Sequence, residues 1–243
     1  MMRTVGVDLA ASPKLTAAAS VEWSSGAARL TDLVLPADDG RIRELASGAD
    51  RIGIDAPFGW PDDFVDFVVA QQRGELTEGR ALDRIENRRP LAYRRTDRVV
   101  VEQGRGRPLS VSADQIAHVA FRAAGLIADL GVTDRVDGWA VEAYPAAALK
   151  VWGLASRGYK GVARRSQLQT SCAMLTEQAP WLDLSGHREV LMADDNAFDA
   201  VITALIARAA AVGGTHLPDG TDRPIAEREG WIHVPHRALS ELV

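Results

Sequence analysis

Thr4-Val5-Gly6-Val7-Asp8-Leu9-Ala10 is the stretch from which the fold of this chain is read. Val5 and Val7 flank the small Gly6, and a single carboxylate, Asp8, closes the run. A short β-branched run bounded by a small-residue loop, here Ala10-Ala11-Ser12-Pro13, predicts a buried strand. Its C-terminal end is where open α/β sheets place their sites. The pattern returns in Arg51-Ile52-Gly53-Ile54-Asp55-Ala56-Pro57 and in Trp139-Ala140-Val141-Glu142-Ala143-Tyr144-Pro145. Three apolar strands would thus each deliver one acid to the same edge of a sheet.

The rest of the chain supports such a sheet. Thr16 to Trp23 and Ala28 to Leu35 read as two further strands joined by the turn Ser24-Ser25-Gly26, which makes an opening antiparallel meander. Asp39 to Ala49 is a short amphipathic helix, with Ile42 and Leu45 on one face. A meander followed by a right-handed crossover gives a mixed sheet. A helix from Asp62 or Asp63 to Arg73 follows, with Asp62 as its candidate cap. The pattern then breaks down from Gly74 to Leu109. Between Arg80 and Arg107 nine arginines stand against Asp83, Glu86, Asp97 and Glu102, a basic segment in a chain of net charge −5. We read it as part of an insertion, about residues 57–110, that covers or lines the site. Helices are expected over Ser112 to Leu130 (Ser112 capping), Pro145 to Trp152, Arg165 to Gln178 and Asp195 to Val212, and an edge strand over Gly230 to Pro235. Arg157 to Arg165 is a second basic, glycine-containing loop.

Composition sets outer limits. With 243 residues, 47% of them hydrophobic and 25% charged, the chain is of ordinary globular type and is expected to form one domain, residues 1–243. Cys172 is the sole cysteine, which excludes an internal disulfide and a cysteine-based zinc site. No apolar run approaches the ~18 residues of a membrane span, and the N-terminus enters a strand at once without a signal peptide. A cytoplasmic protein with no membrane partner is the expectation. The basic residues are almost all arginine; Lys14, Lys150 and Lys160 are the only lysines.

A fourth acidic element opens the last long helix. Asp195 and Asp199 lie four residues apart on one helical face. A carboxylate in the first turn meets the helix dipole favourably, which accounts for Asp195. Asp199 instead begins an apolar run through Ala200, Val201, Ile202 and Leu205. An unpaired buried carboxylate costs several kcal/mol or is forced to protonate, and a divalent cation removes that penalty. If Asp8, Asp55, Glu142, Asp195 and Asp199 converge, the chemistry they suit is two-metal hydrolysis of a phosphodiester. Mg²⁺ or Mn²⁺ on Asp8, Asp55, Asp195 and Asp199 would activate a water and stabilise the leaving oxygen. Glu142 has a plainer alternative, holding an arginine of the insertion. Arg94, Arg95 and Arg98, and with them Arg105 and Arg107, would contact substrate phosphates, or else form local ion pairs with Asp97 and Glu102; Asp97 could order Arg94 or Arg95. Tyr93 and Tyr159 are candidate base-stacking residues or packing residues.

Gly6-Val7-Asp8, Ile54-Asp55-Ala56-Pro57, Arg94 and Arg95 with Asp97, Glu142-Ala143-Tyr144-Pro145, and Asp195 followed by Asp199-Ala200 resemble a prokaryotic family catalogued as domain of unknown function 429. That family is described as predicted nucleases of ribonuclease H-like fold, and the resemblance runs from about Arg3 to Gly213. It implies an α/β fold with a ribonuclease H-like mixed five-stranded sheet flanked by helices, and a helical and loop insertion after the fourth strand. It also implies first-strand, fourth-strand and late-helix acids at Asp8, Asp55 and Asp199. Glu142 belongs to the narrower family and has no role in the general nuclease pattern. The expected activity is metal-dependent hydrolysis of nucleic acid or another phosphodiester. Two alternatives stay open: a catalytically silent nucleic-acid or protein-binding module, and an actin-like-branch phosphotransferase or nucleotide hydrolase.

Overall fold

The computed structural model describes residues 2–76, 79–184 and 186–243. The chain opens with β1 (Met2–Asp8), β2 (Ala17–Ser24) and β3 (Ala27–Val34), and α1 (Asp39–Ala46) leads into β4 (Arg51–Asp55). The insertion contributes α2 (Asp62–Arg73), α3 (Ile85–Ala92) and α4 (Arg95–Glu102). Then come α5 (Ala117–Asp129), β5 (Ala140–Glu142), α6 (Pro145–Val151), α7 (Arg165–Gln178), β6 (Leu182–Asp183), α8 (Arg188–Leu191), α9 (Asp195–Ala211) and α10 (Arg223–Glu229). The strands form one mixed sheet in the order β5-β4-β1-β2-β3-β6. The meander β1-β2-β3 is antiparallel, while β4 joins β1, β5 joins β4, and β6 joins β3 in parallel.

The sheet therefore has six strands where five were expected. The sixth consists of Leu182 and Asp183, which pair with Ala28 and Arg29. Two residues carry no periodicity, so nothing in the sequence marks them as a strand. Several boundaries also differ; the helix expected over Asp39 to Ala49, for one, ends at Ala46. The helix expected from Ser112 starts at Ala117, because the Ser112 hydroxyl donates to the carbonyl of Leu91 (2.6 Å) instead of capping a helix. The segment 230–235 makes only isolated bridges, Ile232 to Glu142 and Pro235 to Thr215, rather than a full edge strand. Thr77 and Glu78 of the insertion lie outside the described residues.

Helices cover both faces of the sheet. Val5, Val7, Ile52 and Ile54 pack with Ile42 of α1 and with Ala123, Leu126 and Ile127 of α5. On the opposite face Ala17, Ala19 and Val21 pack with α9, α6 and α7. Burying a side chain such as Ile202 or Leu205 of α9 contributes about 1.5–3 kcal/mol. The close seating of α9 has a specific cause. A Cβ at Gly6 would lie 2.1 Å from both the Ala200 carbonyl and the Ala204 amide, and one at Gly53 would lie 2.7 Å from the Thr203 carbonyl. Glycine on each of two neighbouring strands thus lets the helix backbone rest directly on the sheet. The Thr4 hydroxyl then donates to the Ala204 carbonyl (3.0 Å), and Trp23 Nε1 donates to Thr4 Oγ1 (2.9 Å).

Candidate active site

That seating positions the acids. Side chains alternate along a strand, so Asp8 and Asp55 project from the face of Gly6 and Gly53, the face on which α9 lies. Asp8 and Asp55 are register partners at the ends of β1 and β4. The first turn of α9 reaches the same edge. Asp194 caps the helix, its Oδ1 accepting from the amides of Asn196 (2.9 Å) and Ala197 (3.1 Å), and Asp199 sits one turn further in, fully buried. Asp8, Asp55 and Asp199 are mutually close enough to perturb one another, and Asp195 acts on both Asp8 and Asp199. Four of the five acids expected from the sequence are therefore neighbours.

The positive charge among them comes from the loop between α6 and α7. The Lys160 ammonium lies 2.5 Å from Asp199 Oδ2, as an ion pair rather than an aligned hydrogen bond. Tyr159 donates its hydroxyl to Asp199 Oδ1 (2.7 Å), and its ring packs edge-on against Phe198. Gly161, at φ 90°, turns the chain immediately after Lys160, and its amide donates to Asp195 Oδ1 (3.3 Å). The Lys160 side chain is 58% exposed along its length although its charged end meets a buried carboxylate. The signal for Lys160 was present in the sequence but unused. In a chain that places arginine almost everywhere, one of three lysines stands in the basic loop.

Burial is the main force on these groups. It raises the pKa of Asp8 well above the ordinary carboxylate range, helped by the charges of Asp199 and Asp55 and opposed by Lys160. Burial pushes Asp55 up to about 7, with Lys160 opposing and Asp199 and Glu142 reinforcing. Asp199 is raised by burial in spite of Lys160 and Tyr159. Desolvation works against the Lys160 ammonium, yet Asp199, Asp8 and Asp55 outweigh it and raise its pKa.

A prediction follows from Asp55. Its folded pKa is above that of the unfolded chain, so native protein holds a proton between pH 3.8 and about 7 that unfolded protein has released. This group's contribution to stability is complete at low pH and is lost as pH rises towards 7. In the metal-free protein, Asp55→Asn should flatten that part of the stability profile and melt higher than wild type at about pH 8. His233, buried and lowered to about 4, acts in the opposite direction equally in both proteins. Parallel pH profiles for the two proteins would refute the assignment.

Glu142 adjoins this set, since its charge reaches Asp55, but its carboxylate is committed elsewhere. Its register partner is Ile54, one residue out of step with Asp55. Its carboxylate holds Arg94 in a bidentate pair (2.7 and 2.8 Å) and accepts from the Phe58 amide (3.0 Å). Arg94 is 2% exposed and all five of its side-chain N–H donors are used: Asp97 takes Nε and one Nη2 bond, Glu142 takes one from each Nη, and the Glu229 carbonyl takes the last. Its pKa is raised, the two carboxylates outweighing desolvation. Arg95 pairs with Asp222 (2.7 Å) and Glu102 (3.2 Å). Of the arginines expected to meet phosphate, Arg94 and Arg95 are thus engaged within the protein, while Arg98 and Arg105 each have a buried Nε without a partner among the described residues. A cavity of about 590 Å³ lies at the other sheet edge, lined by Trp23, Arg29, Trp181 and Arg188, well away from the acids.

Among the described residues no three His, Cys, Asp or Glu side chains stand ready to hold a metal ion. The donors nevertheless suit a hard cation in type and charge. They are oxygens only, three of the four carboxylates have burial-raised pKa values, and the one ammonium offsets a fraction of their charge. In the observed arrangement Lys160 is the cation that meets Asp199.

Among the described residues no helix is long and apolar enough to cross a membrane. Residues 6–223 match the model of a family described as "Protein of unknown function (DUF429)". No curated protein and no solved structure matches the chain.

Proposed function

Because the chain belongs to the DUF429 family, which carries no assigned activity, we propose from its own residues that it is a divalent-metal-dependent hydrolase of phosphodiester bonds, a nuclease on a ribonuclease H-like sheet. The observation that carries this reading is the meeting of Asp8, Asp55 and the fully buried Asp199 at one strand edge, with Asp195 beside them. The ribonuclease H-like part is supported by the order β3-β2-β1-β4-β5, with acids on the first and fourth strands and on a late helix; β6 and the insertion are additions to it.

Asp8, Asp55, Asp195 and Asp199 would hold Mg²⁺ or Mn²⁺. When bound, the ion would supply a water of lowered pKa and charge compensation at the leaving oxygen. The chain's own contribution is a desolvated acidic centre in which every added positive charge is strongly favoured. Lys160, on a loop rather than on the sheet, is the group able to leave Asp199 and meet an incoming phosphate. Glu142 acts at one remove, fixing through Arg94 where the insertion docks.

Calorimetric titration with Mn²⁺ tests the reading, comparing wild type with Asp8→Asn. The expected result is loss of affinity of about tenfold or more in the variant, the scale on which even groups behind a metal ligand act, together with loss of oligonucleotide cleavage and an unchanged circular dichroism spectrum. Wild type that takes up no Mn²⁺, alone or with a phosphorylated oligonucleotide, would refute it. A silent binding module is the second reading, and one observation favours it: Lys160 already compensates Asp199. Under that reading Asp8→Asn leaves ligand binding intact and there is no turnover to lose.

A further inference from the structure

We propose that the cavity between α3, α4 and the loop after α4 is a phosphate-binding subsite for a single strand of nucleic acid, with Tyr93 as its stacking platform. The substrate class rests on the hydrolase reading above; the anion site does not. Arg89 of α3, Arg98 of α4 and Arg107 of the loop line a cavity of about 400 Å³ with Tyr93 and Pro108. Among the described residues none of these three guanidinium groups has an ion pair or a hydrogen bond, and Arg98 Nε is buried without a partner. The two acids of the cavity are committed elsewhere, Asp97 to Arg94 and Glu102 to Arg95. Its negative charges are therefore compensated and its positive charges are not.

A buried guanidinium N–H without an acceptor is costly, and a phosphate oxygen would satisfy it. Three unpaired guanidiniums from three segments exceed what one phosphate needs and suit successive phosphates of a strand. Tyr93, which lines the cavity and is 37% exposed, is the aromatic ring there on which a base could stack whatever its identity. The loop carrying Arg107 packs against Tyr144: a Cβ at Gly106, at φ 152°, would be 3.0 Å from its ring. Burial together with the charge of Asp55 raises the pKa of that tyrosine.

Fluorescence anisotropy of a labelled single-stranded oligonucleotide, in EDTA so that nothing is cleaved, tests the assignment. Arg98→Ala and Arg107→Ala should each weaken binding about tenfold, and each should lower the salt slope by about 0.7. Melting temperature should not move, because these side chains hold nothing within the protein. A failed Mn²⁺ titration of the wild type with this arginine pattern intact would end the hydrolase reading and leave the subsite standing. Three results would overturn the subsite: a double variant that binds the oligonucleotide as wild type does, wild type that binds inorganic phosphate but no oligonucleotide, or a loss of binding that tracks a fall in melting temperature.

Discussion

Arg94→Met will lower the unfolding free energy by about 3–5 kcal/mol, the usual cost of removing one partner from a buried ion pair. Most of that loss comes from what remains. Glu142 and Asp97 are both almost fully buried, and without the guanidinium they keep two charges with no cation nearby and no water to replace it. A domain of this size has only about 5–15 kcal/mol in total, so the variant should show a much lower urea midpoint. The double variant Arg94→Met with Glu142→Gln separates the two contributions. Neutralising one of the stranded acids should return at least about 1 kcal/mol, a coupling expected of residues in direct contact. A loss below about 1 kcal/mol in the single variant would mean that the triad is not closed in solution.

Gly6→Ala is expected to be as damaging without touching a charge. The added methyl would lie 2.1 Å from two backbone atoms of α9, and backbone cannot rotate aside as a side chain can. The helix must lift from β1, and overpacking of this kind costs about 3 kcal/mol or more. Asp199 rides on that helix, so Mn²⁺ affinity should fall together with stability. Gly125→Ala is the control. Gly125 lies within α5 with open space around its Cα, and alanine there should stabilise by about 0.5–1 kcal/mol. Denaturant titrations of the two variants should move in opposite directions; a neutral Gly6→Ala would mean that α9 is not seated on β1 as described.

The elements that could be read from the sequence were those whose chemistry is local. β1 and β4 announce themselves by valine or isoleucine around one glycine and by the acid at the end. Asp199 stands out because it interrupts an apolar helix, and burial is what such a position implies. What escaped depends on partners far away in the chain. Arg94, Arg95 and Arg98 look equivalent as sequence, yet Arg94 meets Glu142 and the Glu229 carbonyl, Arg95 meets Asp222, and the Arg98 side chain meets no partner among the described residues. No spacing rule encodes pairings across 48 or 135 positions. Arg89 was lost in the same crowd of charge. β6 was missed because its pairing with β3 is made by two residues whose alignment only the assembled sheet supplies.

Glu229 shows what such distant pairings mean for a chain emerging from a ribosome. Its Oε1 accepts from the amide of Asp62, the first residue of α2, and its Oε2 from the amide of Arg95, the first residue of α4. One late carboxylate thus closes the free N-termini of two helices made more than a hundred residues earlier. The acidic edge has the same schedule, since Asp8 and Asp55 are synthesised early and wait for Asp199. Until α9 is out, β1 and β4 have one uncovered face and unpaired acids. Domains rich in such long-range contacts fold slowly and expose sticky surface while they wait. The acidic edge is therefore assembled last, by near-complete chains, and a translation product that stops before Asp195 carries Asp8 and Asp55 without Asp199 or the helix that brings it to them.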